Sequence, residues 1–533
     1  MLNAITRNLQ YVRGLYGFLR HPLSDAEVYA NLERELANRE ATFLSIVRDA
    51  VYAHAASPYA RLLAHAGIEY EDVAGLVRDH GLEGTLDRLA DAGVYITLQQ
   101  LKGREPIVRP GLELKVSTSD FNNPLVKSVF ESSTSGSRGP STRLPRNFAW
   151  LEDECSAQFL QYAALKARGR PIGYWRPSMP EPSAISSALM GAKLNRRVDV
   201  WFTPTPFSFK SHGSGGMTRA LTTMAVFRSM GRKLPWPHYV PYDDPMPVVR
   251  WLAAMRARGT PAVIHTIVSP AVRVCTAAME AGLDISGSTF RIGGEPLTPM
   301  RAKIIADAGV GTGPTYAMSE VGNIAYGCAN RSAVDVDDMH VFTGKVAVTL
   351  RPVAVRGGAT VRALALTTLL RSSPTVLLNA ESGDSGDIVV RECGCPMGAL
   401  GLNTHITNLR SYDKLTSEGV TYLGSELHML LEEVLPRRFG GSPVDYQLVE
   451  EDVAGLPKIS LVVSPRVGAV DEAALLAVVS EWLSKLPSGG KEMAGLWNQT
   501  GVLNVQRREP YATRSAKVLT LHVVQPDTSK AEK

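Results

Sequence analysis

PAVIHTIVS (261–269) and STFRIGGEP (288–296), joined by a segment of helical period at 271–282, decide the fold. Each flank is a short apolar run that stops at a turn signal. Strand, helix and strand in this rhythm call for a crossover between parallel neighbours. VDVWFTP (198–204) reads as a third strand of the same kind, with helical segments at 217–230, 246–258 and 298–308 around the three. The expectation is an α/β chain with a largely parallel sheet. Such sheets place ligands at the loops where their strands end. Gly293-Gly294-Glu295, which closes the strand at 288–296, is therefore a candidate site.

Upstream, helical period dominates residues 24–100. Ser24 and Glu27 have capping-box spacing, and Val28, Leu32, Leu36, Phe43, Val47 and Val51 continue one apolar face. Short helices are expected around 58–66, 71–79 and 83–91. In the first segment Leu2, Ile5, Leu9, Val12, Leu15 and Leu19 recur at helical spacing, with Arg7, Arg13 and Arg20 between them. A helix packed on the body is favoured there over a membrane-surface anchor. Downstream, residues 344–370 alternate around Arg356-Gly357-Gly358 and read as antiparallel β structure. A smaller α+β unit follows residue 410, with a strand at 458–463, a helix at 471–486 and closing strands near 501–506 and 518–524. The expected organisation is a large domain over 1–410, its first 115 residues a mostly helical extension, and a C-terminal domain over 411–533.

Composition excludes several classes. The 533 residues can bury a large core without disulfides. At 44% hydrophobic the chain is too apolar to be disordered, yet no run approaches the roughly 18 uncharged apolar residues of a membrane span. A net charge of +5, with no block of like charges, gives no sign of a nucleic-acid partner. Five cysteines with no secretory leader suggest a reducing cytoplasm, where close cysteine pairs serve metals more often than disulfides.

Three loops carry candidate chemistry. Thr134-Ser135-Gly136-Ser137-Arg138-Gly139 offers hydroxyls and unobstructed backbone N–H groups to phosphate oxygens, without being a Walker A loop. Gly293-Gly294-Glu295 permits close approach to a planar base. In Tyr316-Ala317-Met318-Ser319-Glu320, Tyr316 could stack on that base, Ser319 could meet a phosphate and Glu320 could hold Mg²⁺. Ser385-Gly386-Asp387, followed by Arg410, offers a carboxylate to two ribose hydroxyls. A fourth set, Cys328, His340, Cys393 and Cys395, suits a closed tetrahedral and hence structural Zn²⁺. The bland alternative there is three buried thiols and a surface histidine. Cys155 and Cys275 lie on apolar helical stretches and read as core. Phe207 to Gly216, with Phe209, His212 and Gly213, reads as a glycine-rich loop after a strand, lining a substrate pocket or lying on the surface. His265 reads as a satisfied strand histidine.

In order and spacing these loops resemble those of the acyl-adenylate-forming enzymes. Their phosphate loop reads roughly [ST]SG[ST]TGxPK, followed by GGE, YGxTE or YGxSE, a GD aspartate and a GRxDD-like hinge. GGEPL, the YxMSE form and the CxC before the hinge look most similar to the phenylacetate-CoA ligase branch and to the acyl-protein synthetases of bioluminescence. The resemblance covers about residues 125–520.

It implies a large N-terminal domain that binds ATP, Mg²⁺ and an acid, with a small mobile C-terminal lid. Thr134 to Gly139 would wrap the phosphates, Gly294, Glu295 and Tyr316 the adenine, and Asp387 the ribose, with Arg410 nearby. Ser319 and Glu320 would serve the α-phosphate and Mg²⁺. Lys517, in EPYATRSAKVL, would bridge carboxylate and α-phosphate from the lid. Phe209, His212 and Gly213 would line the acyl pocket, and zinc-bearing members of that branch have a similar cysteine–histidine arrangement. The chain departs from the pattern at Arg138, which stands for a threonine, and at Ser141-Thr142, which stand for Pro-Lys. Arg138 or Arg143 could supply the missing cation, and Tyr412 or Asp413 the hinge. The implied activity is ATP-dependent adenylation of an aryl or other carboxylic acid, followed by transfer to CoA, an amine or a carrier protein. Activation of nitrite for diazotisation, acyl-protein synthesis and a non-catalytic adenylate-binding role are the alternatives. Retention of Tyr316, Glu320, Asp387 and Lys517 together argues against the last.

Overall fold

The structure is a computed structural model that describes residues 2–133, 143–177, 183–242, 244–294, 297, 299–331, 335–354, 360–411, 415–417, 420–422, 430–441, 445–453, 456–485, 503–511 and 521–524. Two small antiparallel pairs come first, β1 (Ile107–Arg109) with β2 (Leu112–Leu114), and β3 (Phe130–Ser133) with β4 (Arg143–Arg146). The second pair flanks the hydroxyl- and glycine-rich loop, itself outside the described residues.

The strands read from sequence then assemble into one twelve-stranded sheet. Its parallel sector comprises β5 (Ile172–Trp175), β6 (Val200–Thr203), β7 (Pro237–Tyr239), β8 (Val263–Ile267), β9 (Thr289–Gly293) and β10 (Gly311–Met318), in the order β7-β6-β5-β8-β9-β10. β8 and β9 are buried at every position, as strands covered on both faces must be. Beyond β10 the sheet turns antiparallel through β11 (Gly322–Gly327), β12 (Met339–Val341), β13 (Val346–Ala354), β14 (Thr360–Thr368), β15 (Ala380–Val390) and β16 (Thr404–Ser411), in the order β11-β12-β16-β15-β14-β13. The expected antiparallel hairpin over 344–370 is β13–β14. Helix Phe148–Ala164, capped by Asn147 Oδ1 accepting from the Trp150 N–H at 2.7 Å, is buried around most of its circumference and packs beside β11.

After a short pair, β17 (Leu415–Ser417) with β18 (Val420–Tyr422), the last four strands form their own sheet, ordered β21-β20-β19-β22. These are β19 (Tyr446–Val453), β20 (Leu456–Val463), β21 (Leu503–Arg507) and β22 (Leu521–Val523). Helix Glu472–Ser484 buries Leu475, Val479 and Leu483, one per turn, in the same apolar cluster as Leu448, Ile459 and Leu461. The α+β character expected of this region is present.

Three local readings are settled or changed. The segments at 71–79 and 83–91 are two helical halves within Tyr70–Asp91, separated as expected by a kink at Gly81, where φ is +67°. The supposed glycine-rich loop is the start of helix Phe209–Ser229, because nothing in a sequence of small residues forbids a helix once its later turns are packed. The first segment is a helix, Leu2–Arg20, docked on the body: Tyr11, Leu15, Phe18 and Leu19 are buried, and the rings of Tyr11 and Phe18 lie 5.8 and 5.5 Å from that of Phe148. Among the described residues no helix is long and apolar enough to cross a membrane.

Leu15 is fully buried in this contact. Leu15→Ala should cost about 2–5 kcal/mol, read as a lower midpoint in denaturant unfolding. A loss below about 0.5 kcal/mol, the ordinary size of a surface substitution, would mean that the helix is not docked in solution.

Candidate functional site

Gly293, Gly294 and Ser319, among the residues read from sequence, come together where the parallel sector ends. β8, β9 and β10 finish side by side, and beyond them lies a cavity of about 270 Å³ lined by Gly293, Gly294, Thr315, Met318 and Ser319, with Arg146 and Trp150 opposite. Close packing fixes Gly293: a Cβ there would stand 2.8 Å from the Thr315 carbonyl oxygen. Arg146 lies over the Trp150 ring, 4.5 Å from its centroid, and donates from Nη2 to the Ser319 carbonyl at 2.6 Å. Burial pushes the Arg146 guanidinium down to about 10, against the pull of Glu320. Its Nη1 has no hydrogen-bond partner among the described residues.

Glu320 follows Ser319 in the β10–β11 turn, 2% exposed, and forms an ion pair with Lys102 at the end of helix Leu98–Leu101. Its carbonyl accepts from Thr375 Oγ1 at 2.7 Å. Burial alone would raise the Glu320 carboxyl. The Lys102 ammonium outweighs burial and, with Arg146, holds it below the usual range. The Glu320 carboxylate here has Lys102 as its cation, and a divalent ion added there would meet two positive side chains. In this arrangement the site does not fit Mg²⁺. No sequence motif marks Lys102, which comes from the helical extension.

Tyr316, on β10, is buried and donates from its hydroxyl to Asp384 Oδ2 at 3.1 Å. The sequence holds two Gly-Asp steps, and the structure brings the first to Tyr316. Asp387 instead faces Arg362 Nη1 (3.2 Å) and Asn408 Nδ2 (3.0 Å) in a partly exposed position. The β15–β16 register shifts between Ser385 and Asp387, with Asn408 at φ +54°, so the two aspartates do not continue one regular face. Arg410 ion-pairs with Asp337 at 2.9 Å, and the same carboxylate accepts the N–H groups of Asn408 and Leu409 at 3.2 and 3.0 Å. Asp337 thus anchors the segment before the expected hinge.

Phe209 is 61% exposed on its helix and does not line the cavity. His212 and Gly213 lie on the same helix, and their side chains are outside the described residues. Thr134, Ser135, Gly136, Ser137, Arg138, Gly139, Glu295, Tyr412, Asp413 and Lys517 also lie outside them. Cys155 and Cys275 are buried in apolar clusters, as expected.

The cysteine–histidine set does come together. Cys328 follows β11, His340 sits on β12, and Cys393 and Cys395 follow β15, with all four ligand atoms within 4.8 Å of one another. His340 Nε2 lies 3.0 Å from Cys395 Sγ and 3.6 Å from Cys393 Sγ. Its Nδ1–H donates to the Leu402 carbonyl at 2.5 Å, which leaves Nε2 as the lone pair aimed at the sulfurs. Backbone N–H groups of Asn330 and Cys395 donate to Cys328 and Cys393 sulfurs at 3.3 and 3.4 Å. Beside it, Asp338 accepts from His405 Nδ1 at 2.5 Å and pairs with Arg391, a buried network that sequence reading missed.

No family model matches the chain, and a search of curated proteins finds no match. Among solved structures it superposes on a 2-hydroxyisobutyryl-CoA ligase in complex with 2-HIB-AMP and CoA, at a TM-score of 0.55 and 16% identity, covering 95% of this chain and 91% of that one. The chain has the fold of the adenylate-forming enzymes. The amide bond synthetase McbA from Marinactinospora thermotolerans aligns over 96% of this chain and 98% of its own, at 13% identity and a TM-score of 0.44.

The Lys102–Glu320 pair is testable. Lys102→Met leaves a buried carboxylate short of its cation and should cost about 3–5 kcal/mol. The double variant with Glu320→Gln should recover most of that. Because Glu320 is held below its ordinary value, its share of stability is full above about pH 4.5 and is lost as pH falls through the lowered value. Urea melts of the double variant should lack that acid-side component, whereas a single variant as stable as wild type would show that the pair does not form.

Proposed function

We propose that the chain is an ATP-dependent, AMP-forming ligase that adenylates a carboxylic acid, releases pyrophosphate and passes the acyl group to a nucleophile such as CoA or an amine. The observation that carries this is the convergence of Gly293-Gly294 and Met318-Ser319 on one cavity at the ends of β9 and β10. The carboxylate is already ionised near pH 7, so no general base is needed. One of its oxygens bonds to the α-phosphorus as the bond from that phosphorus to the bridging oxygen breaks, and pyrophosphate leaves with the electron pair. Catalysis is then positioning and charge stabilisation. Thr134 to Gly139 hold the phosphates, with Arg138 or Arg143 as the loop cation. Gly294, Glu295 and Tyr316 take the adenine, and Ser319 the α-phosphate. Asp384, tied to Tyr316, replaces Asp387 as the ribose ligand. Residues 411–533 act as a lid turning about Tyr412 or Asp413, and Lys517 reaches the reacting carboxylate from it. Lid rotation then withdraws Lys517 and admits the acceptor.

Cys328, His340, Cys393 and Cys395 would hold Zn²⁺, since three thiolates and an imidazole whose far nitrogen is already bonded to a carbonyl fit that ion. Bound there, it would cross-link β11, β12 and the segment after β15 through these four side chains.

Lys517→Ala should abolish most pyrophosphate exchange while leaving the far-UV spectrum and melting temperature unchanged. Exchange at the wild-type rate would sink the assignment. Elemental analysis of protein purified without chelators should find about one zinc per chain, and Cys395→Ser should lower it. Zinc far below one per chain in the native protein would rule the metal site out.

A further inference from the structure

We propose that the acid taken by this cavity is short and carries a second anionic group, which pairs with Arg291; the proposal rests on the adenylation reading above. Arg291 stands on β9 two residues before Gly293, lines the cavity and is 8% exposed. Its Nη2 donates to the Tyr326 hydroxyl at 2.6 Å, and its Nη1 lies 3.3 Å from both Gln158 Oε1 and His265 Nδ1. Every one of these partners is neutral, and among the described residues no carboxylate pairs with it. His265 is itself held uncharged. Its Nδ1 accepts from Arg291, its Nε2 lies 2.6 Å from the Tyr162 hydroxyl, and burial with Arg291 beside it pushes its pKa well below the usual value.

Among the described residues, the one carboxylate lining the cavity, Glu154, cannot serve Arg291. It forms an ion pair with buried Lys345 and accepts from Asn323 N and Nδ2 at 3.0 and 2.6 Å. Arg176 and Arg146 also line the wall, so among the described residues the cavity's net character is cationic. Burying a guanidinium without a counter-charge costs several kcal/mol. That cost is recovered if a ligand supplies the anion, and the planar fork of arginine suits a carboxylate held by two parallel hydrogen bonds. Among the described residues the space is about 270 Å³, below the range of drug-sized pockets, which favours a short acid. Trp150, Leu151, Met190 and Ile267 leave an apolar side for a few methylenes. A plain aryl or aliphatic acid would desolvate Arg291 and leave it unpaired.

The test measures pyrophosphate release from ATP by the full chain with matched pairs of equal backbone length, succinate against butyrate and glutarate against pentanoate. Phenylacetate and nitrite are run beside them, with hydroxylamine as the common acceptor. The diacids should exceed their monoacid partners in kcat/KM by about 10- to 100-fold, the worth of one charged hydrogen-bonded pair. Arg291→Met should erase that preference through KM of the diacid, and Arg291→Lys, as the conservative variant, should restore part of it; melting curves establish that both fold. Equal or better turnover of butyrate, phenylacetate or nitrite overturns this proposal and leaves adenylation standing, as does an Arg291→Met variant that weakens both members of a pair alike. Release with none of the acids overturns the adenylation reading, and this one with it.

Discussion

Parallel pairing of β9 with β10 is the constraint from which the rest of the site hangs. It sets Gly293 against Thr315 so closely that no side chain fits, and it brings two strand ends to one edge of the sheet. β10 is also the strand at which the sheet changes sense, parallel to β9 and antiparallel to β11. The tight return between β10 and β11 carries Ser319 and Glu320, and β11 then delivers Cys328 to the thiol cluster. The cavity wall and the cysteine–histidine cluster are thus at opposite ends of one hairpin, and a change that shifts it disturbs both.

Buried charge is the second organising feature. Glu320 with Lys102, Glu154 with Lys345 and Asp338 with His405 and Arg391 are all closed locally, each charge met by its opposite within the fold. Desolvation makes such closure obligatory, because an ion pair removed from water breaks even only when its geometry is complete. Lys102 extends the rule to the helical extension, which supplies the counter-charge for a residue of the central sheet and so is part of the site's electrostatics.

Legibility in the sequence followed the range of the interactions. Strands β8 and β9, the hairpin β13–β14 and helix Glu472–Ser484 were readable because their apolar period is local and bounded by turn residues. The cysteine–histidine set was readable because its chemistry restricts which residue types can take part. Three features were not. That Asp384 rather than Asp387 meets Tyr316 depends on a register shift against β16 that no residue of β15 announces. The start of helix Phe209–Ser229 looked like a loop because glycine and serine lower helix propensity locally, while packing further along the helix decides. Lys102 is invisible because its partner lies in a different part of the chain, and charge complementarity over that range leaves no pattern in either segment.

Arg291 and His265 show why a buried cation without a carboxylate is informative. The imidazole is bracketed by a guanidinium and a phenol and stacked 4.7 Å from the Tyr174 ring, so its tautomer and orientation are fixed before any ligand arrives. A neutral bracket of this kind locks the guanidinium in place without cancelling its charge. A carboxylate from the fold in the same position would have cancelled the charge and left a structural ion pair like the other three. Holding a cation rigid and uncompensated at the wall of a small cavity costs stability, and binding an anion there needs little further reorganisation. The closed pairs and the Arg291 guanidinium therefore mark different uses of the same physics: the first hold the sheet and its extension together, and the second leaves a charge for something that is not part of the chain.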